Sequence, residues 1–243
     1  MISKATIKLI QSLQHKKYRQ KYHLFVAEGL KTVATIMAAE RFELHSLYAS
    51  DGLVDHGQLN KYDPIYTSKE VLSRASLLQS RSEVLALFHL PDLVLDVGSA
   101  VIYLDDVQDP GNLGAILRIA DWYGLDTVIR SPASADFYSP KVVQASMGSI
   151  AGLDLLTCSL DELKLGAHRC IACDLDGSEH VGLEEGGAFC LFVGNEGNGL
   201  SDKAKALTPL TLTIGGASGR LAESLNAAMA TAIACDRIRG NRC

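Results

Sequence analysis

The feature that most constrains the fold is an alternation of short apolar strands with helical segments after Pro91. Six segments are typical of strands: 100–104, 127–130, 153–158, 169–173, 189–193 and 210–214. Helical periodicity occurs between or after them, at 113–123, 139–147 and 221–239. Strands joined by crossover helices run in parallel, and the helices cover the sheet. The pattern therefore predicts an α/β fold with a mostly parallel sheet.

A smaller α/β unit is expected before this region. Strand-like segments occur at 24–26, 44–49 and 84–90, and helical segments at 2–14 and 29–39. Pro91 and Gly98 punctuate the chain between the two patterns. We therefore expect two domains, residues 1–95 and residues 96–243, which a chain of 243 residues accommodates.

Composition argues against several classes of protein and of site. Hydrophobic residues make up 47% of the chain, yet no apolar run reaches the roughly 18 residues that a membrane span needs. We recognise no secretory signal, so the six cysteines are expected to be reduced, in a cytoplasmic protein. Cys170 and Cys173 form a lone C-x-x-C, which favours buried strand cysteines over zinc because no second ligand pair is evident. We expect no bound metal.

Charge is distributed unevenly along the chain. The net charge of −5 argues against a nucleic-acid partner, but residues 1–31 hold seven lysines and arginines and a single acidic residue, Glu28. A basic end on an acidic body favours an anionic partner that contacts this region. A solvated helix face explains the charges equally well, so both interpretations stay open on charge alone.

Three strand ends carry glycines and polar side chains, at the edge where open parallel sheets bind ligands. The first segment, 104–118, contains Gly111 and Gly114 but neither G-x-G-x-x-G nor G-K-[ST], which excludes the common dinucleotide and triphosphate loops. Arg118 follows Asn112 within about two helical turns. From spacing alone, an exposed helix arginine is the favoured interpretation of Arg118.

The second segment, 193–201, places three glycines within six residues around Glu196. Glycines let the backbone approach a ligand closely, although a flexible surface turn has the same composition. Leu200 stands where a triphosphate loop needs lysine. The third segment, 214–228, leads from a glycine-rich loop into an alanine-rich helix with Ser224 and Asn226 near its start. Taken alone, these two residues could simply cap the helix or satisfy a buried backbone group.

Together the three segments resemble the motifs of the SpoU branch of the SPOUT RNA methyltransferases, also called the TrmH family. Asn112-Leu113-Gly114 with Arg118 is similar to its first motif, Asn-x-Gly with an arginine four residues later. Residues 194–201 are similar to its second motif, Gly-x-Glu-x-x-Gly-Leu-Ser, and residues 224–226 to the Ser-Leu-Asn of its third. The resemblance covers residues 100–240, and more weakly the N-terminal stretch.

One departure concerns the third motif, which usually opens Ile-Pro-Met-x-Gly. Ile214 and Ser224 are the ends of a loop that is two residues longer than in the family and lacks the proline and the methionine. The contacts of this loop with a cofactor are therefore the least secure part of the resemblance.

The resemblance implies an enzyme that methylates a ribose 2′-hydroxyl in RNA with S-adenosylmethionine (AdoMet). It implies a parallel-sheet SPOUT domain with a C-terminal trefoil knot, preceded by a small α/β, L30e-like substrate-binding domain, and a homodimer without membrane contacts. The implied catalytic residues are Asn112, Arg118, Glu196, Ser224 and Asn226. The implied cofactor-binding residues are Gly194, Asn195, Gly199, Ile214 and Leu225.

Physical chemistry narrows the expected role of Arg118. A guanidinium holds its proton to pKa values above about 12, so it is a poor base. We expect Arg118 to clamp a phosphate and to stabilise alkoxide charge, while phosphate or water takes the proton. Asn112 is expected to position the ribose or the arginine, and Glu196 to orient Asn112 or Arg118.

The same resemblance gives the basic N-terminal segment a use in positioning RNA. The expected phosphate contacts are Lys16, Lys17, Arg19 and Lys21, while Tyr18 and Tyr22 could stack on unpaired bases or pack internally. Ribosomal RNA is favoured over transfer RNA, because the N-terminal domain resembles that of ribosomal members. The alternatives are a tRNA ribose methyltransferase and a catalytically silent RNA-binding homologue in ribosome assembly. A metabolic nucleotide-binding enzyme is disfavoured by the missing phosphate loops.

Overall fold

The computed structural model describes residues 2–53, 57–78, 82–92, 97–182 and 187–239. The chain forms two compact units, residues 1–92 with 136–152 and residues 93–135 with 153–243. The expected domain boundary at residues 95 and 96 lies outside the described residues. The segment 136–152 packs with the first unit because the ring of Tyr138 joins those of Phe25 and Phe42, with centroids 5.2 Å and 6.2 Å away.

The first unit is an α/β unit around a four-stranded sheet. Up to residue 92 its elements are α1 (Lys4–Ser12), α2 (Lys16–Tyr22), β1 (Leu24–Glu28), α3 (Leu30–Ala38), β2 (Leu44–Ser50), a 3-10 turn (Asp51–Leu53), α4 (Gly57–Asn60), β3 (Ile65–Thr67), α5 (Lys69–Ala75) and β4 (Val84–His89). The strand order is β1-β4-β2-β3, in which β4 runs antiparallel to both neighbours and β2 pairs in parallel with β3. Ile10 and Leu13 pack with the sheet residues Val26, Leu85 and Leu87 to form its core.

The second unit is built on a parallel sheet. After residue 97 the elements are β5 (Ala100–Leu104), α6 (Pro110–Trp122), β6 (Thr127–Arg130), α7 (Pro140–Ser146), a 3-10 turn (Ser149–Gly152), β7 (Asp154–Thr157), β8 (Arg169–Ser178), β9 (Phe189–Val193), α8 (Asp202–Leu207), β10 (Leu210–Leu212) and α9 (Ala227–Arg239). Of these, α7 and the second 3-10 turn belong to the first unit.

The six strands lie in the order β10-β8-β9-β5-β6-β7, and every pairing among them is parallel. The central strands β5 and β9 are buried along their whole length, as expected for a sheet covered on both faces. Tyr103 and Phe192 pack in its core. The predicted α/β fold with a parallel sheet is confirmed, and the carboxyl ends of β5 and β9 place residues 105–109 and 194–199 at one edge.

The last helix begins later than the sequence periodicity predicts. It starts at Ala227 rather than at Leu221, because the side chain of Asn226 accepts hydrogen bonds from the backbone amides of Ala228 and Met229, at 3.0 Å and 3.3 Å. Asparagine is among the best residues at this capping position. Residues 221–226 therefore form a loop. In the described part of the chain, no helix is long and apolar enough to cross a membrane.

Candidate active site

A cavity of about 380 Å³ opens beyond the carboxyl end of β9 in the second unit. Its wall is formed by residues 173–175 at β8, by residues 193–199, and by parts of the loop 214–227. The volume lies in the range of roughly 300–1,000 Å³ that is typical of small-molecule sites. The two glycine-rich segments that the sequence analysis singled out thus line one cavity.

The turn after β9 is closed by its own backbone. Asn195 and Gly199 exchange two backbone hydrogen bonds of 2.9 Å, and Gly199 has a φ of +68°, which favours glycine. A Cβ atom at Gly194 would lie under 3.0 Å from the backbone of Gly199 and Leu200. The side-chain Nδ2 atom of Asn195 also donates to the backbone carbonyl of Asp106, at 2.8 Å. The turn is therefore rigid, and its shape requires glycine at two positions.

A chain of hydrogen bonds joins one residue from each of the three segments. The Nδ2 atom of Asn226 donates to Oδ1 of Asn112 over 2.8 Å, and Nδ2 of Asn112 donates to Oε1 of Glu196 over 3.0 Å. Since Oδ1 of Asn226 accepts from the first amides of α9, the orientation of both asparagine amides is fixed. The structure therefore brings Asn112, Glu196 and Asn226 together.

Glu196 is held as a carboxylate. Its oxygens also accept from the backbone amides of Asp109 and Gln108, at 3.1 Å and 3.3 Å. Partial burial by itself raises the pKa of Glu196, but the hydrogen bonds from Asn112 and from the backbone amides outweigh this effect and lower the pKa below its ordinary value. A carboxylate in this state is a weak base, and its contact with Nδ2 of Asn112 holds that amide in place.

The other expected site residues lie in two different places. Ile214, Ser224 and Leu225 line the cavity together with the turn at 194–199. Arg118 lies on α6, exposed and outside the cavity wall. Within the described residues it has no hydrogen bond or ion pair, including none to Glu196. A single chain therefore leaves the guanidinium at the surface.

Sequence reasoning missed several charged residues of the cavity wall. Asp174 and Lys205 form an ion pair of 2.9 Å, and Arg220 and Glu223 line the same cavity. Partial burial by itself raises the pKa of Asp174, but the hydrogen bonds from Lys205 and from the backbone amide of Leu175 outweigh this effect and lower the pKa. The available signal was the position of Asp174, which follows an apolar stretch of β8 as the other polar residues follow β5 and β9.

The described residues include five free cysteines, one of which lines the cavity. The cysteines at 158, 170, 173, 190 and 235 are free, and no cluster of three or more potential metal ligands occurs among the described residues. Cys173 lines the cavity, where burial raises its pKa to about 11, so the thiol keeps its proton at neutral pH.

The basic segment of the first unit differs from expectation at one residue. Lys16, Lys17 and Lys21 are exposed on α2, but Arg19 is buried. Its guanidinium donates to the carbonyls of Leu13 and Gln14 and forms an ion pair of 2.6 Å with Asp136. The expectation that Arg19 contacts RNA is therefore corrected: both of its Nη atoms donate inside the protein and fix α2 in place.

Comparison with known proteins identifies the family. Residues 99–236 match the SpoU rRNA methylase family, and residues 4–86 match the MRM3-like substrate-binding domain. The Bacillus subtilis protein named 23S rRNA (guanosine(2553)-2′-O)-methyltransferase RlmP is 29% identical over 235 residues, which span 95% of this chain and 94% of that protein.

Solved structures agree with this match along the whole chain. A TrmH-family protein from Porphyromonas gingivalis has a TM-score of 0.85 at 32% identity and covers 99% of each chain. An AdoMet-bound rRNA methyltransferase from Sinorhizobium meliloti has a TM-score of 0.82 at 25% identity, covering 100% of this chain and 97% of its own. With the three segments joined by hydrogen bonds beside one cavity and a family match over more than half of its length, this chain belongs to the SpoU rRNA methylase family.

Proposed function

We propose that the protein transfers a methyl group from AdoMet to a ribose 2′-hydroxyl of ribosomal RNA. The observation that carries the proposal is the hydrogen-bonded chain Asn226–Asn112–Glu196, which joins all three motif segments beside one glycine-walled cavity. Family membership supports the reaction, and the name of the Bacillus subtilis relative supports rRNA over tRNA.

The cavity fits AdoMet in size and in chemistry. Its backbone-lined wall can contact an adenosine without interference from side chains, and Gly194 admits no larger residue. Its charged residues have both signs, as an amino acid with a sulfonium requires. The backbone of Gly194, Asn195, Gly199, Ile214 and Leu225 would hold the cofactor, and the Sinorhizobium meliloti structure supports this assignment because it is AdoMet-bound.

AdoMet, when bound, supplies a methyl group on a sulfonium for in-line displacement. The protein must hold the hydroxyl oxygen within about 3–3.5 Å of that methyl group. Asn112 is suited to this positioning because both neighbours fix its amide, which retains one N–H and one lone pair for the ribose. Ser224, which lines the cavity, supplies a further hydroxyl for positioning.

Charge stabilisation is assigned to Arg118. A guanidinium stabilises developing alkoxide charge and binds a phosphate in a bidentate manner, but it does not accept a proton. Glu196 is engaged as an ionised acceptor and has a lowered pKa, so it does not serve as the base. The proton therefore leaves to water or to an RNA phosphate.

Labelled methyl transfer to total ribosomal RNA tests this function. We expect transfer by the wild-type protein and its loss in Arg118→Ala, with unchanged AdoMet affinity by calorimetry because Arg118 lies outside the cavity wall. Lys164→Ala changes another exposed cation of the same unit and should leave transfer intact. RNA binding without AdoMet binding would instead identify a catalytically silent homologue, and transfer to tRNA alone would change the substrate.

We also propose a homodimer, in which a second copy covers the exposed face that carries Arg118. Trp122 is 85% exposed on α6 and Met229 is 63% exposed on α9. The two helices pack against each other, and Tyr123 donates to Asp236 over 3.2 Å. Large apolar side chains exposed on adjoining helices are typical of an interface. The partner subunit would complete the surroundings of Arg118.

Further features implied by the family are part of this proposal. The placement of the loop 214–226 beside the turn 194–199 supports a trefoil knot, a topology that is otherwise rare. The match of residues 4–86 to a substrate-binding domain supports domains at 1–95 and 96–243, the first of them L30e-like. The free cysteines support a reducing, cytoplasmic location.

A further inference from the structure

We infer that α2 is a stacking platform for unpaired bases of the RNA substrate. Tyr18 and Tyr22 provide the ring faces, and Lys16, Lys17 and Lys21 contact the flanking phosphates. The inference rests on the proposed function, because it takes RNA as the substrate, and it adds the structural class of the RNA that the first unit binds.

Three aromatic rings lie next to one another at α2, those of Tyr18 and Tyr22 on the helix and that of His15 just before it. Tyr18 and Tyr22 are stacked, with centroids 6.3 Å apart and planes inclined by 16°, and His15 lies 6.3 Å from Tyr18. A lysine ammonium lies over each tyrosine ring. Lys17 is 4.9 Å from the ring centroid of Tyr18, and Lys21 is 5.3 Å from that of Tyr22. Aromatic rings interleaved with cations are the surface that single-stranded nucleic acids use for stacking and phosphate contacts.

These tyrosines are not core residues. Tyr22 is 42% exposed, and the core of this unit is formed by aliphatic residues of α1 and the sheet. Within the described residues, the ring contacts of Tyr18 and Tyr22 are with each other and with His15, the residue that precedes α2. A core role therefore does not account for two adjoining tyrosines here.

The two lysines at the start of α2 are placed against the stability of the helix itself. Lys16 and Lys17 occupy the first turn, where the positive end of the helix dipole disfavours cations, and no acidic residue offsets them. The side chain of His15 makes no capping hydrogen bond. No acidic residue precedes Glu28 in the sequence. Local features that break the rules of helix stability are expected at binding sites, and these select an anionic partner.

Arg19 fixes α2 against the neighbouring parts of the first unit. Its Nη1 atom donates to the carbonyls of Leu13 and Gln14, at 2.8 Å and 3.0 Å, and Nη2 contacts Asp136. A helix fixed before binding loses less conformational freedom when the ligand arrives. Arg19 is thus a positioning residue, which orients the lysines and tyrosines without contacting RNA.

Unpaired RNA is the substrate class that this chemistry recognises. A ring can stack only on a base face that is free, and the base faces of an A-form duplex are covered by neighbouring pairs. A phosphate-binding helix without stacking rings would not prefer the single strand, because the duplex has the higher charge density. The two tyrosines therefore predict a preference for loops or single-stranded segments.

The test uses the full-length protein and fluorescence anisotropy with three RNAs: a single strand of about 12 nucleotides, its duplex, and an abasic version of the strand. Tyr18→Ala/Tyr22→Ala should weaken binding of the single strand about tenfold, from the loss of base stacking, and leave binding of the abasic strand unchanged. Tyr18→Phe/Tyr22→Phe should retain wild-type affinity. Tyr62→Ala is the matched control, because Lys61 lies 4.6 Å from that ring outside the basic segment.

The lysines have a separate signature. Lys17→Gln/Lys21→Gln should weaken binding of the single strand and the abasic strand together and reduce the salt dependence by about 1.4 in slope, at about 0.7 per phosphate contact. Circular dichroism checks that each variant is folded. Tyr22→Leu alone keeps an apolar side chain at an exposed position if the double variant is unstable, and it should still weaken binding of the single strand alone.

Three results would overturn the inference. The tyrosine variants could leave single-strand binding unchanged, they could weaken binding of the abasic strand equally, or the wild-type protein could bind the duplex as tightly as the strand. In each case RNA is still bound, and the proposed function stands. A wild-type protein that binds none of the RNAs would contradict the proposed function and, with it, this inference.

Discussion

Asn112 is the central residue of the hydrogen-bonded chain in the site. It donates to Glu196 and accepts from Asn226, so its two amide atoms have opposite tasks that few other side chains can perform. An aspartate at this position could accept but not donate, and it would place a second carboxylate against Glu196. The need for both a donor and an acceptor therefore explains why position 112 carries an amide side chain.

Replacing Asn112 by alanine should raise the pH at which the protein begins to lose stability in acid. The change removes the strongest of the hydrogen bonds that lower the pKa of Glu196, so this pKa rises. A lowered folded pKa stabilises the protein at pH above the unfolded value of about 4.3, and the stabilisation is lost as the pH falls through the folded pKa. Thermal melts between about pH 3 and pH 7 should show Asn112→Ala losing stability at higher pH than the wild type. Coincident pH profiles would refute this role for Asn112.

Gly194 and Gly197 lie in the same turn but should respond differently to alanine. At Gly194 the added methyl group meets the backbone of Gly199 and Leu200, whereas at Gly197 it meets only Oδ1 of Asn195 at 3.6 Å, an ordinary contact. We expect Gly194→Ala to cost about 1–3 kcal/mol of stability from overpacking. We also expect a loss of AdoMet affinity of more than tenfold by calorimetry, with little change in Gly197→Ala. Equal behaviour of the two variants would show that the close backbone approach is not needed.

At the scale of elements, the residue that caps α9 has a structural task and a proposed functional one. Asn226 caps the helix with Oδ1 and reaches Asn112 with Nδ2. The two tasks use different atoms, so they can be separated by substitution. The position at which α9 begins therefore places Asn226, the last residue of the third motif, in contact with Asn112.

Asn226→Asp and Asn226→Ala separate capping from the contact with Asn112. Alanine removes both functions and should destabilise the protein by about 1 kcal/mol, whereas aspartate keeps the cap. Both should lose most methyl transfer, because neither can donate to Asn112. Chemical denaturation and labelled transfer measure the two effects. An Asn226→Asp variant with full activity would exclude the amide donor from the mechanism.

The parallel sheet could be predicted from the sequence because its strands are short, apolar and separated by helical periodicity. The start of α9 could not, since Leu221 and Leu225 continue the helical spacing although both are exposed in the single chain. Periodicity detects an apolar face but not whether that face contacts the core or another molecule. The capping potential of Asn226 was the signal that outweighed it.

Arg19 shows the second limit of sequence reasoning. Its neighbours Lys16, Lys17 and Lys21 are exposed cations, and its own partner Asp136 lies 117 residues further along the chain. No local pattern announces so distant an ion pair. The convergence of residues 112, 196 and 226 was likewise expected only through the family resemblance, because composition and spacing do not specify which loops meet.

At the scale of the whole molecule, the proposed dimer accounts for both the exposed apolar residues and the position of Arg118. Arg118 and Trp122 lie four residues apart on α6 and are therefore neighbours on its surface. A partner subunit that covers Trp122 would also surround the guanidinium. We therefore expect methyl transfer to depend on the formation of the dimer.

Trp122→Glu should disrupt the dimer by burying an unpaired charge at the interface. Light scattering should show a wild-type dimer and a variant monomer, and methyl transfer should fall at least tenfold while AdoMet affinity is retained. Leu207→Glu is the control, because Leu207 is an exposed apolar residue on α8, with 42% exposure. A monomeric, active wild-type protein would rule out the dimer.

The proposed function requires the cavity to present AdoMet to a ribose hydroxyl of ribosomal RNA. The most direct test incubates the purified protein with unmodified 23S rRNA and AdoMet carrying a deuterated methyl group, followed by mass spectrometry of the nucleosides. We expect label on the 2′-oxygen of one nucleotide and none on any base. Label on a base, or no label in RNA while the protein still binds AdoMet, would contradict it.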